Sequence, residues 1–221
     1  MNSYSLRNVL SWLVSILVPL ALVLGAVRAI MTPLFLAYEY SQPNFPPDSY
    51  GFSKADRLKW SNIALDYLLN SADISFLGDL RFEDGSPVYN ERELRHMVDV
   101  KNTVRGAMAV LGVAVGALLL LGVWAWRGNW LEEYRRGLGR GGWLTVFLIG
   151  GILFLVLAAF GVLFVAFHNV FFQPGTWVFL YSDTLIRLFP ERFWRDAFLL
   201  VGSLAMGAGL AMAYLFRSPR R

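Results

Sequence analysis

Four stretches of this chain carry almost nothing but apolar residues: roughly positions 9–31, 103–126, 143–167 and 194–216. A helix rises about 1.5 Å per residue, so about 20 apolar residues cross the hydrocarbon of a bilayer. Each stretch meets that length, and each predicts a transmembrane helix. The first follows Arg7 and is too long for the apolar core of a signal peptide. No small-residue cleavage site follows it cleanly, so it reads as a retained span. Trp124, Trp126, Trp143, Trp177 and Trp194 fall at or near the predicted ends, as an aromatic belt would place them. Gly202, Gly207 and Gly209 in the fourth span predict close helix packing.

Between the spans the pattern changes. The segment 32–102 is by far the longest connection, and loops of that size in compact proteins usually have structure and function of their own. Its proline-rich part, 41–47, argues against helix. Ser53 and Asp56 stand in capping-box positions and predict a helix to about Asn70, with Leu58, Leu65, Leu68 and Leu69 as its apolar face. Asp84-Gly85 inside 80–89 predicts a short β-hairpin. From Asn90 the pattern turns helical and runs into the second span. The connection 168–193 is short and aromatic. In it Asp183, Arg187 and Glu191 recur at helical spacing and predict a short re-entrant or interfacial helix ending near Pro190.

Charge then orients the spans. Arg7, the connection 127–142 with Arg127, Arg135, Arg136 and Arg140, and the tail with Arg217, Arg220 and Arg221 hold only Glu132 and Glu133 as acids. Elsewhere acids outnumber bases. Lys/Arg-rich flanks stay in the cytoplasm, so both termini are expected there, with 32–102 and 168–193 on the extracytoplasmic side. The predicted fold is an all-α membrane protein. One membrane domain covers 1–221, a bundle of four transmembrane helices with a structured extracytoplasmic insert of an amphipathic helix plus a short β-hairpin.

Composition narrows the chemistry. Of 221 residues 56% are hydrophobic, 15% aromatic and 16% charged, against about 25% charged in ordinary soluble domains. There is no cysteine, which removes disulfides, thiolate nucleophiles and cysteine-held metals or clusters. There is no glycine-rich phosphate loop, no histidine pair at metal-ligand spacing and no nucleophile elbow, so neither a metal, a cofactor nor a nucleic-acid partner is expected. The arginine clusters are accounted for by topology.

The only two histidines, His96 and His168, fall just outside the second and third spans, at one membrane level by independent arguments. Imidazole both takes and gives a proton near neutral pH. On a helix, Arg92, His96, Asp99 and Thr103 share a face, which lets Asp99 hold one ring nitrogen of His96. The plainer reading of the same run is a solvated helix with pairs such as Glu91–Arg95 and Arg95–Asp99. Arg28, in the outer third of the first span, either faces the bundle interior near the histidine level or snorkels to the interface. Tyr89, Trp177 and Asp183 complete the candidate supporting set. No ionisable residue falls at mid-span, which weighs against a transporter.

The runs Y-N-E-R-E-L-R-H-M-V-D-V-K (89–101) and F-H-N-V-F-F (167–172), followed by W-V-F (177–179) and D-T-L-I-R-L-F-P-E-R-F-W (183–194), resemble the signatures of the Lit family, the lipoprotein intramolecular transacylases of bacterial membranes. The layout of four spans with a long outer loop before the second is similar as well. The resemblance implies an enzyme of the cell membrane that moves the sn-2 acyl chain of a diacylglyceryl-cysteine lipoprotein onto that lipoprotein's N-terminal amine, leaving the lyso form. The partners implied are the diacylated lipoprotein and membrane lipid. The family's paired histidines correspond to His96 and His168. A non-catalytic lipid-binding or accessory membrane protein is the alternative that the sequence leaves open.

Overall fold

The computed structural model describes residues 3–217; Arg220 and Arg221 of the basic tail lie outside the described residues. Among the described residues eight helices follow one another: α1 (Ser3–Ile30), α2 (Pro33–Glu39), α3 (Lys54–Leu69), α4 (Ser75–Gly78), α5 (Glu91–Arg127), α6 (Leu131–Phe171), α7 (Thr184–Leu188) and α8 (Glu191–Leu215). Four of them, α1, α5, α6 and α8, are long and apolar enough to cross a membrane. The protein is a multi-pass membrane protein. Its helices extend past the predicted spans, and α5 begins twelve residues before the apolar stretch at 103.

The chain divides into two compact units. One holds α1 up to Ala29, Ala107–Ala158 and the chain from Phe198 onward; the other holds Ile30–Gly106 and Ala159–Ala197. The division on α6 falls where Ala159 leaves helical geometry (φ −155°, ψ 51°).

The first unit is built by close approach of helix backbones. A Cβ placed on Gly142 would lie 2.5 Å from the Gly209 carbonyl oxygen and 2.6 Å from the Ala213 nitrogen, so α6 and α8 touch through bare backbone there. Gly141 meets Val18 of α1 in the same way, at 2.6 Å from its Cβ. Lipid tails are as apolar as leucine, so such contacts, rather than hydrophobic burial, hold helices together in a bilayer. Of the three glycines expected to serve packing in α8, Gly202 and Gly209 face close neighbours, while Gly207 has nothing within 4 Å. Polar ties gather at one end of the unit. Arg7 donates to the Gly128 and Asn129 carbonyls, Ser11 to the Glu133 carbonyl and Arg140 to Ser11 Oγ.

The second unit has a conventional core of Trp60, Ala64, Tyr67, Leu77, Val88, Tyr89, Met97, Leu185 and Leu188. Ser53 caps α3 with the expected capping box: its hydroxyl accepts from the Asp56 N–H, and the Asp56 carboxylate accepts from the Ser53 N–H. The face α3 buries differs from the expected one. Arg57, Trp60, Ser61, Ala64 and Tyr67 are buried, Leu58, Leu65 and Leu68 are half-buried, and Leu69 is 41% exposed. Two large aromatic rings outweigh the leucines, and Arg57 is made tolerable by donating to the Pro46 carbonyl at 2.6 Å and lying over Phe45.

The predicted β-hairpin is not formed. Asp84-Gly85 does make a turn, with Gly85 at φ 82°, but among the described residues the pairing stops at a single bridge between Arg81 and Pro87. Pro87 has no N–H to continue a ladder, and Asp84 Oδ1 takes the Ser86 N–H and hydroxyl, closing the turn locally. Helix α7 is five residues long and follows Asp183.

Candidate active site

Both histidines lie in the second unit. Asn90 caps α5: its Oδ1 accepts from the N–H groups of Arg92 and Glu93, and Glu93 Oε2 accepts from the Asn90 N–H at 2.8 Å. This starts the helix one turn ahead of His96. The other Glu93 oxygen accepts from the Leu185 N–H at 2.7 Å, and Thr184 Oγ1 donates to the Val88 carbonyl. Glu93 is 1% exposed, so one carboxyl joins the start of α5 to the start of α7 in the interior. His168 stands in the last turn of α6.

The two imidazole rings lie 6.3 Å apart between centroids and within 19° of parallel. That separation is beyond direct hydrogen-bond reach and is of a length that one group placed between the rings would span. Phe172 contacts both rings, at 4.9 Å from His96 and 5.6 Å from His168. Phe179 closes on His96 at 5.3 Å. Phe164 and Trp177 close on His168 at 4.1 and 4.6 Å. The site is thus two imidazoles in an aromatic wrap.

Their hydrogen bonding differs. His168 Nδ1 lies 2.8 Å from the Phe164 carbonyl oxygen. A carbonyl only accepts, so Nδ1 carries the proton and Nε2 of the neutral ring keeps its lone pair. His96 is 8% exposed, and its Nδ1 is buried without a hydrogen-bond partner. The bond expected from Asp99 to this ring is therefore not made. Asp99 is exposed, and its carbonyl accepts from Thr103 Oγ1.

The remaining candidates take varied places. Arg92 pairs with Asp183 at 3.5 Å and reaches over the Phe179 ring. Asp183 also accepts from Asn90 Nδ2 and the Leu180 N–H, so it fastens the segment that carries Trp177 and Phe179. Tyr89 is a core residue: it is 3% exposed, its hydroxyl donates toward the Trp60 carbonyl at 3.5 Å, and burial pushes its ionisation well above the ordinary value. Arg28 stands exposed in the last turn of α1, in the first unit. Trp177 has its indole Nε1 buried without a partner.

Phe164 and Phe172, one turn before and after His168, and Glu93, three residues before His96, were not singled out from the sequence. Helical i±4 spacing was the available signal for the phenylalanines. A cavity of about 260 Å³ elsewhere in this unit, lined by Tyr40, Phe45, Pro46, Asp48, Arg57 and others, includes neither histidine. Near it Glu39 is 1% exposed, and burial, with the Asp196 carboxyl as neighbour, raises its pKa from 4.5 to about 7; Arg192 binds the same Asp196.

Three kinds of comparison each find relatives. The model of the family described as lipoprotein intramolecular transacylase Lit matches residues 12–194. An uncharacterized protein of Aquifex aeolicus (strain VF5) is 30% identical over 217 residues, covering 95% of this chain and 94% of that one. Among solved structures, the membrane-integral lipoprotein intramolecular transacylase Lit from Bacillus cereus superposes with a TM-score of 0.80 at 20% identity, over 97% of this chain and 96% of that chain. A histidine-to-alanine variant of that protein gives 0.73, also at 20% identity, over 98% and 96%. The match of the family model over most of its length shows that this chain belongs to the Lit family of lipoprotein intramolecular transacylases.

Proposed function

We propose that the protein transfers the sn-2 acyl chain of a diacylglyceryl-cysteine lipoprotein to the α-amine of the same cysteine, at the extracytoplasmic face of a bacterial cell membrane. The observation that carries this reading is the pair of imidazoles 6.3 Å apart in an aromatic wrap, with one ring nitrogen of His168 held by a backbone carbonyl.

The amine nitrogen attacks the sn-2 ester carbonyl carbon. A tetrahedral intermediate forms, the carbonyl–glycerol C–O bond breaks, and an amide is left. The proton lost by the amine equals the proton gained by the glycerol oxygen, so no water, oxidant or enzyme nucleophile enters the balance. An α-amine has a pKa of about 8, so a modest base suffices to have it neutral. Because donor and acceptor belong to one molecule, holding them in attack geometry supplies much of the rate. His168 takes the amine proton on Nε2, the nitrogen left free when Nδ1 donates to Phe164. That proton goes to the departing glycerol oxygen from His168 itself or through the neutral His96 ring, which takes it on one nitrogen and gives it from the other, so both rings end as they began. The roles rest on the second unit alone, and Arg28 is given no step.

The orientation follows the positive charge. Arg7 and the turn carrying Gly128 and Asn129 are hydrogen-bonded to one another, which supports placing the N-terminal tail and the α5–α6 connection on one side, the cytoplasmic one. The test is mass spectrometry of a lipoprotein N-terminus from cells with and without this protein. The reading expects an N-acylated lyso form only in its presence; two acyl chains on the glycerol in both samples would end it.

A further inference from the structure

Two of the buried polar atoms without a partner, His96 Nδ1 and Trp177 Nε1, belong to rings that each neighbour His168. Both belong to rings in the histidine cluster: His96 lies 6.3 Å from His168 and Trp177 lies 4.6 Å from it on another contact. A buried polar group left unpaired costs on the order of 1–3 kcal/mol, and native folds keep such groups few. Two at one site mark a place whose partners come with a ligand. The two atoms differ in kind. The imidazole serves as donor or acceptor with its protonation state, whereas indole N–H only donates. What Trp177 lacks is therefore an acceptor oxygen.

The reaction assigned above generates one. As the amine nitrogen adds to the ester carbonyl carbon, the carbonyl oxygen becomes an anion, and the intermediate collapses only while that charge is held. Arginine and metal are not needed where a neutral N–H, aimed beforehand, sits in a dry aromatic surround, because low polarity strengthens the bond to the developing charge. Phe164 and Phe172, both half-buried, contact the His168 ring on which Trp177 also packs and make its neighbourhood apolar. Asp183, through the Leu180 N–H and its ties to Asn90 and Arg92, holds the segment on which Trp177 rides.

We propose that the Trp177 indole N–H donates to the sn-2 carbonyl oxygen and stabilises the oxyanion during acyl transfer. This rests on the transacylase reading of the same site. The experiment uses the full-length protein in detergent or nanodiscs with a diacylglyceryl-cysteine peptide. Trp177→Phe keeps an aromatic ring against His168. A second variant with 3-benzothienylalanine in place of Trp177 keeps the bicyclic shape and replaces only the N–H by sulfur. Both are expected to lose kcat by roughly 10²- to 10³-fold with KM little changed. A phosphonate analogue of the tetrahedral intermediate should lose affinity by a similar factor, while the diacyl peptide binds as before. Retained kcat in the benzothienyl variant overturns the proposal, whatever the phenylalanine variant does. So does a fall in kcat with unchanged affinity for the phosphonate. Absence of transfer by the wild-type protein would instead overturn the function proposed above.

Discussion

In the first unit helices meet through glycine and serine, with backbone atoms in near contact at Gly142 and Gly209. In the second, packing runs through aromatic rings and buried polar ties, among them Trp60, Tyr67 and the Glu93 bridge. The two strategies follow from their surroundings. Between apolar helices in lipid, close approach is the main gain available. Burying tryptophan and tyrosine away from water gives a larger and non-directional gain, which leaves room for polar side chains to be fixed in chosen positions. Chemistry collects where polar groups can be held, and the histidines, Asp183 and Trp177 all belong to the second unit.

That contrast can be broken in graded steps. The largest effect is expected from His168→Ala, with acyl transfer falling about 10²- to 10⁴-fold while thermal unfolding stays near that of the wild type. An intact rate would detach His168 from the chemistry and overturn the proton roles given to the two rings. Next, Glu93→Ala leaves the Asn90 and Leu185 N–H groups without their carboxylate partner, the Leu185 group in the buried interior. It should cost roughly 2–5 kcal/mol in unfolding, with faster amide hydrogen exchange around residues 88–93 and 183–188. Exchange that quickens equally in the first unit would contradict separate means of support. Gly142→Ala drives a methyl into the Gly209 carbonyl and should cost about 1–3 kcal/mol. Its mark is a lower melting temperature with unchanged kcat per folded molecule.

The smallest effect concerns pH. Glu39 binds its proton more tightly in the folded chain, with a pKa of about 7 against an ordinary 4.5. Its contribution to stability is complete below pH 4.5, declines as pH rises to about 7 and stays lost above it. Wild-type melting temperature should fall over that window, and Glu39→Gln should flatten the fall; an unchanged slope would assign it to other groups.

Much of this was legible along the chain. The four spans announce themselves because lipid demands about 20 apolar residues in a row, a signal that no tertiary contact overrides. Ser53 and Asp56 were readable for a local reason, since a capping box closes within four residues. The buried face of α3 was not readable, because it depends on what Trp60 and Tyr67 meet across the fold. The hairpin misled because Asp84-Gly85 specifies the turn and says nothing of whether Pro87 lets a ladder grow. At the site, topology put His96 and His168 near one level, whereas the backbone carbonyl on His168 and the missing Asp99 bond needed coordinates.

The turn between α5 and α6 has a consequence for how the protein is made. Three residues, Gly128, Asn129 and Trp130, separate the two longest helices, and Asn129 takes a left-handed conformation (φ 55°) to reverse the chain. Tyr134 then donates back to the Leu118 carbonyl at 2.9 Å, and Trp130 packs on Trp124. So short a connection loses little entropy on closing. Two helices of 37 and 41 residues joined so closely are expected to enter the bilayer as a single hairpin rather than as independent spans.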